Sequence, residues 1–154
     1  MKKILVYGYG NPGRQDDGLG ILLVEEIESW AKAKGFESVE TDSNYQLNIE
    51  DAYQLNKYDI VIYADASIED IEQYKLEEIV PELNPNFSMH SVSPAFVIGL
   101  CKELYNEIPV SYVFHIKGYE WEFMTDLSER AIANLEAASV FLKTQIESFI
   151  NEQY

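Results

Sequence analysis

The chain has 154 residues, of which 47% are apolar and 25% charged, so it has the length and composition of a globular domain with a real core rather than a disordered segment. Its formal net charge of −16 argues against nucleic acid or an anionic membrane as partner and is compatible with a metal site or a basic protein partner. No apolar run is long enough to span a bilayer, no signal peptide is recognisable, and the single cysteine, Cys101, excludes an intramolecular disulfide and suits a reducing cytoplasm.

The first predicted strand is Ile4–Tyr7. It runs into Gly8-Tyr9-Gly10-Asn11-Pro12-Gly13-Arg14-Gln15-Asp16-Asp17-Gly18-Leu19-Gly20, a loop holding several glycines, a proline and two adjacent carboxylates. The first helix spans Leu19 to Lys34, with Ile21, Val24, Ile27 and Ala31 inward and Gly35 as its stop. A short second strand lies near Ser38–Thr41. Gln46–Leu55 reads as a short helix with Leu47, Ala52 and Leu55 inward. The third strand, Ile60–Ala64, is apolar on both faces, as a buried parallel strand is, and ends in Asp65. Tyr74–Val80 reads in part as a strand, after which Pro81 and Pro85 interrupt the pattern.

The next helix begins at Ser93-Pro94, a cap followed by proline at the first helical position, and turns Phe96, Val97, Leu100 and Leu104 inward. A strand over Val110–Ile116 follows. The last helix starts at Ser128-Glu129 and continues to about Glu152, with Ile132, Leu135, Leu142, Ile146 and Phe149 inward. The alternation predicts a single α/β domain over residues 1–154. Its form is a three-layer αβα sandwich, an about five-stranded, mostly parallel twisted sheet with helices on both faces.

Ligands collect beyond the carboxyl ends of the strands in such a sheet. Asp17 follows the first strand, Asp65 the third, and His90 lies in Ser88-Met89-His90-Ser91 before a helix. If the first and third strands are neighbours, the three side chains converge. Two carboxylates and an imidazole could ligate zinc or nickel with positions left open. Plainer readings stand beside this one. Either loop aspartate or Asp65 could be a cap, and His90 could be a surface residue. His115, within a strand pattern, reads as structural and Cys101 as a small buried hydrophobe. Trp121, Phe123 and Met124 read as packing or as a partner-binding rim. Gly8-x-Gly10-x-x-Gly13 matches a dinucleotide fingerprint, but Asp16 and Asp17 stand where a pyrophosphate would sit. No nucleophile elbow and no Cys–His arrangement is apparent.

These residues resemble the [NiFe]-hydrogenase maturation proteases along nearly the whole chain. Gly8-x-Gly10-Asn11-Pro12-x-Arg14-x-Asp16-Asp17-Gly18-x-Gly20 looks like that family's opening motif, Ile60-Val61-Ile62-Tyr63-Ala64-Asp65-Ala66 its second, and His90 with Ser93-Pro94 its third. Leu127-Ser128 resembles the entry to its final helix. Tyr45-Gln46-Leu47-Asn48-Ile49-Glu50 is similar to members serving soluble, NAD-reducing hydrogenases. The resemblance implies a cytoplasmic, usually monomeric endopeptidase, often filed with aspartic peptidases. Such enzymes remove the C-terminal extension of a hydrogenase large-subunit precursor after nickel insertion. The family's metal-binding positions fall on Asp17, Asp65 and His90, the same residues expected to carry catalysis, with Asp16 orienting. The nickel implied is the one held by the precursor. One departure is Asp42-Ser43-Asn44-Tyr45, where many members carry a glycine- and threonine-rich turn expected to help dock the substrate tail. Other readings are a nickel-binding maturation chaperone, a spore-type protease of related fold, and a dinucleotide-binding module.

Overall fold

A computed structural model describes residues 1–81 and 92–152. Among these residues five strands form one sheet: β1 (Ile4–Tyr9), β2 (Val39–Asn44), β3 (Ile60–Ser67), β4 (Tyr74–Glu78) and β5 (Val110–Lys117). Their order is β2-β1-β3-β5-β4. All neighbours are parallel except β4, which runs antiparallel to β5. The helices are α1 (Leu19–Lys34), α2 (Pro94–Tyr105) and α3 (Glu129–Asn151). Ile49–Tyr53 and Leu55–Lys57 form short 3-10 turns where a helix over Gln46–Leu55 was expected, and Leu47, Ala52 and Leu55 are buried as anticipated.

Period-two alternation divides the sheet into two faces. Ile4 and Val6 of β1, Ile60, Ile62 and Ala64 of β3, and Phe114 and Ile116 of β5 pack under α1 and α3. Leu5, Tyr7, Val61 and Tyr63 point the other way, against Val97, Ile98 and Cys101 of α2 and against Leu47, Ala52, Leu55 and Tyr58. This is the expected arrangement of helices on both faces. Each fully buried Leu or Ile contributes roughly 1.5–3 kcal/mol, so both layers are needed to hold the sheet. No helix among the described residues is long and apolar enough to cross a membrane.

Several helix ends follow local signals. Gly35 closes α1 in the left-handed conformation at φ 72°. The Ser93 hydroxyl accepts from the Phe96 N–H, with Pro94 at the first helical position, and Ser128 caps α3 by accepting from the Ala131 N–H. The inward faces differ in part from expectation. Leu23 rather than half-buried Ile21 fills the α1 stripe. Helix α2 buries Val97, Ile98 and Cys101 while Leu104 is exposed. Helix α3 buries Ala131, Asn134, Ala138 and Ser139 while Ile132 faces solvent. Asn134 is tolerated inside because its amide donates to the Lys117 carbonyl at 3.0 Å and the Tyr119 hydroxyl at 2.8 Å.

Helix α1 lies unusually close to the sheet. A Cβ on Gly20 would stand 2.3 Å from the Ala64 carbonyl oxygen, a distance that no side chain can occupy. Gly20→Ala is therefore expected to cost at least about 2 kcal/mol by overpacking against rigid backbone. Gly35→Ala meets nothing within 4 Å and carries only the left-handed penalty of about 1 kcal/mol. Urea denaturation of both variants checks the order of the two effects.

Candidate functional site

The site forms where β1 and β3 lie side by side and the chain leaves β1 toward α1. This is the switch point of the strand order, with β2 on one side of β1 and β3 on the other. The loop from Gly10 to Gly18 is compact. Gly10 has φ 135°, and a Cβ there would lie 2.1 Å from the Asp17 carbonyl oxygen. Residues Gln15–Gly18 make one 3-10 turn, and Gly18 occupies the N-cap of α1 with no side-chain cap bond. Neither loop aspartate caps α1, which corrects the capping reading. The turn sets both carboxylates before the helix begins.

The two acids face different surroundings. Asp16 is fully buried. Its Oδ2 accepts from the Tyr119 N–H at 2.7 Å, the Glu120 N–H at 2.9 Å and the Ser128 hydroxyl at 2.7 Å, and its Oδ1 accepts from the Ser128 N–H at 2.9 Å. Burial alone would raise its pKa. These four bonds together outweigh that effect and hold the carboxyl below its ordinary range. Its neighbour Gln15 accepts from the Glu122 N–H and donates to the Asp126 carbonyl, while the Gln15 N–H donates to the Met124 carbonyl at 2.7 Å. The Arg14 Nε donates to the Trp121 carbonyl. Residues 119–128 are thus laced across residues 14–16.

Asp17 points the other way and is only half-buried. Its Oδ2 accepts from the Asn11 N–H at 2.8 Å. Asp65 lies within β3, not after it. The strand continues to Ser67, with Asp65 paired in register to His115 of β5. Asp65 shares the α2 face with Tyr63, and its carboxyl is bonded by the Tyr9 hydroxyl at the end of β1. Burial pushes Asp65 up to about 7; the Tyr9 bond opposes the rise and the charge of nearby Asp17 adds to it. Burial, followed by the charge of Asp65, raises the Tyr9 phenol and keeps it a neutral donor. Among the described residues neither Asp17 nor Asp65 is ion-paired with a lysine or arginine.

His90 lies outside the described residues, as do Ser88, Met89 and Ser91. Among the described residues no group of three His, Cys, Asp or Glu side chains is placed to hold a metal ion. His115 sits beside Asp65 in register, but its Nε2 is 3.9 Å from Glu77 Oε2, toward β4. Cys101 is buried and its thiol is raised by burial. Phe123 is 86% exposed and Met124 is 52% exposed, whereas Trp121 is partly covered. The Arg14 guanidinium lies 5.9 Å from the Phe123 ring.

Tyr9 is the residue that sequence reasoning missed. Tyr7 pairs in register with Tyr63, so two residues on, Tyr9 falls beside Asp65 on the same face. The signal was present in the spacing Tyr7-x-Tyr9 but hidden inside the glycine-rich motif. The dinucleotide reading loses ground, because the Asn11 backbone N–H is already taken by Asp17 and a Cβ at Gly8 or Gly10 would meet protein backbone.

No protein-family model matches the sequence, and no curated protein matches it. Solved structures do resemble the fold. The [NiFe] hydrogenase maturation protease HycI from Thermococcus kodakarensis KOD1 superimposes with a TM-score of 0.73 at 19% identity, over 92% of this chain and 90% of that one. The hydrogenase maturating endopeptidase HybD from E. coli gives 0.69 at 20% identity, over 95% and 93%. A hydrogenase 2 maturation peptidase from Thaumarchaeota archaeon SCGC_AB-539-E09 gives 0.67 at 18% identity, over 95% and 99%. The chain has the fold of the hydrogenase maturation proteases.

The two perturbed carboxyls move stability in opposite directions with pH. Asp16 binds its proton more weakly in the folded chain than in the unfolded one. Its contribution is present above the unfolded pKa near 4 and is lost on further acidification. Asp65 holds its proton more tightly when folded, so its contribution falls as pH rises from about 4 to about 7. Thermal midpoints measured across pH 4 to 8 should show that fall in the wild type, and Asp65→Asn should flatten it. Asp16→Asn should instead lower the midpoint throughout this range by the equivalent of roughly 3 kcal/mol, because an amide nitrogen then faces N–H donors.

Proposed function

We propose that this chain is an endopeptidase that removes the C-terminal extension of a [NiFe]-hydrogenase large-subunit precursor after nickel insertion. The observation that carries the reading is the pair Asp17 and Asp65. They are two carboxylates at one sheet edge, close enough for one charge to raise the pKa of the other, and among the described residues neither is ion-paired with a lysine or arginine. Such a pair is stabilised by an arriving cation. The resemblance of the three motifs supports reading that cation as the nickel already inside the precursor.

In this reading Asp17, Asp65 and His90 recognise the nickel while the precursor holds the rest of its coordination sphere. Two oxygen donors and one imidazole nitrogen suit nickel, and three ligands leave room for those of the precursor. Binding displaces the proton from the part of the Asp65 population that carries one near neutrality. The scissile peptide then lies beside the loop, where water adds to its carbonyl carbon. Asp17 is placed either to take the proton of that water or to act purely as a ligand. The carbon–nitrogen bond breaks, the amine leaves protonated, and the new C-terminus keeps the water oxygen. Asp16 acts one step removed, by fixing the turn that aims Asp17. An aspartic-type mechanism in the pepsin sense is not required by these groups.

A non-proteolytic nickel chaperone would use the same ligands, and a spore-type protease would share the fold but not the nickel requirement. Mixing the purified chain with nickel-loaded precursor separates these readings. A shortened large subunit means protease, and unchanged mass with nickel transfer means chaperone. Nickel-free precursor should remain uncut, and equal cleavage of both forms would remove nickel as the recognised feature.

Asp17→Asn retains an oxygen able to accept from the Asn11 N–H, so the thermal midpoint should change little, by about 1 kcal/mol or less. Processing should fall by roughly 10²-fold or more. His90→Ala should match that loss, whereas His115→Ala should chiefly affect stability. A folded Asp17→Asn protein that processes precursor at the wild-type rate would take Asp17 out of the mechanism.

A further inference from the structure

Strand β2 is the outer strand of the sheet on its side, and its free edge is flanked by a hollow on each face. The Ile4 N–H donates to the Ser38 carbonyl and the Gly10 N–H to the Asn44 carbonyl. In a parallel ladder this parity turns the even-numbered backbone groups of β2 toward β1 and the odd-numbered ones outward. The outward Val39 N–H is taken by the Phe36 carbonyl and the outward Ser43 N–H by the Asp42 carboxylate. Thr41, at the centre, presents its N–H and carbonyl to this edge, which no strand among the described residues covers.

The hollow on the α1 side has a volume of about 460 Å³; Ala31, Phe36 and Val39 are its apolar lining, beside Glu37 and the ion-paired Glu28 and Lys32. The hollow on the opposite face has a volume of about 110 Å³, lined by Glu40, Asp42 and Asp51 with Tyr7 and Tyr58, and, among the described residues, by no lysine or arginine. Both share Glu40 and Thr41, so they meet at the same point of the edge. The Tyr58 hydroxyl is bonded to Glu40 and the Tyr7 hydroxyl to Asp51, so the phenols position the carboxylates without neutralising them.

We infer that this edge receives an extended peptide by strand addition, with a lysine or arginine in the acidic hollow and an apolar side chain on the α1 side. Strand addition draws affinity from main-chain bonds and specificity from pockets for alternate side chains, and β2 supplies both. The acidic hollow also excludes a second copy of this chain, whose β2 would set carboxylate against carboxylate. Resting on the proposed function, the occupant is a segment of the precursor's C-terminal extension. The end of β2 at Asn44 lies beside Gly10, whose N–H donates to the Asn44 carbonyl, in the loop that carries Asp17.

The test uses two blocked pentapeptides, acetyl-VKVKV-amide and acetyl-VEVEV-amide, titrated into the isotope-labelled full chain. The lysine peptide should shift amide resonances of residues 39–44, protect the Thr41 amide from exchange and bind at least about tenfold tighter than the glutamate peptide. Exposed Glu40, replaced in Glu40→Lys, should lower lysine-peptide affinity about tenfold and narrow that preference. Thr41→Pro, which removes the outward N–H, should weaken both peptides, with a thermal midpoint checking that the sheet survives. Absence of binding, shifts centred elsewhere, or indifference to Glu40→Lys overturns the inference. With nickel-loaded precursor, Glu40→Lys should raise KM and leave kcat unchanged; an unchanged KM also overturns it. If the wild type cleaves no precursor while the lysine peptide still binds at Thr41, the protease reading fails and the edge stands.

Discussion

The buried carboxylate of Asp16 is the constraint on which the site depends. A charge inside a protein is costly unless every lone pair is engaged, and Asp16 meets that condition with three backbone N–H groups and a hydroxyl. Those donors come from both ends of the segment 119–128, so one side chain closes a connection between β5 and α3 over the glycine-rich turn. Ser128 serves twice. Its hydroxyl donates to Asp16 and accepts from the Ala131 N–H, which places a negative charge at the start of α3, where the helix dipole favours it. Adjacent acids thereby have separate surroundings: Asp16 ties the turn to residues 119–128, and among the described residues half-buried Asp17 accepts one backbone bond, from Asn11.

That division explains the glycines as well. The turn is tight because backbone meets backbone, with Gly10 against the Asp17 carbonyl and Gly20 against that of Ala64. Close approach of α1 to β3 brings the Asp17 loop next to Asp65. The two charges then raise the cost of ionising the more buried one. A scaffold selected for stability alone would have inserted a lysine between them or removed one. Among the described residues no lysine or arginine pairs with either acid, so the two carboxyls are a local cost of the kind that functional sites carry.

The sequence showed the fold class and most element positions because their signals are local. Gly35, Ser93-Pro94 and Ser128 each end or begin a helix through contacts within a few residues. The strands β1, β2 and β3 all extend two or three residues farther than apolar patterning implied, because ladder pairing carries polar residues such as Asp65 and Asp42 that no propensity favours. The inward faces of α2 and α3 were less legible. Ile132 and Leu104 look like core residues, but neighbouring Ala131 and Cys101 lie against the sheet, and period alone does not say which of two adjacent apolar rows is covered. Asn134 and Asp16 could not be read as buried, since their partners lie 15 or more residues away. Asp17 and Asp65 were singled out because one closes the glycine-rich loop after the first apolar run and the other directly follows the third; Tyr9 was passed over because its bond to Asp65 exists only once β1 is set beside β3.

In the proposed function, the raised pKa of Asp65 also bears on how a loaded precursor is told from an empty one. Near neutrality part of the Asp65 population is protonated, so the free site holds less negative charge than two carboxylates would. A precursor lacking nickel meets this partly neutral site and gains little from it. A precursor carrying nickel displaces the proton and then interacts with two full charges in a partly desolvated cleft, where each is worth more than in water. The gain therefore grows with the arrival of the metal instead of being present in advance for any basic surface. Charge alone would accept many cations, so the choice among metals has to come from donor geometry. The rigid anchoring of the turn by Asp16 holds that geometry while the precursor docks.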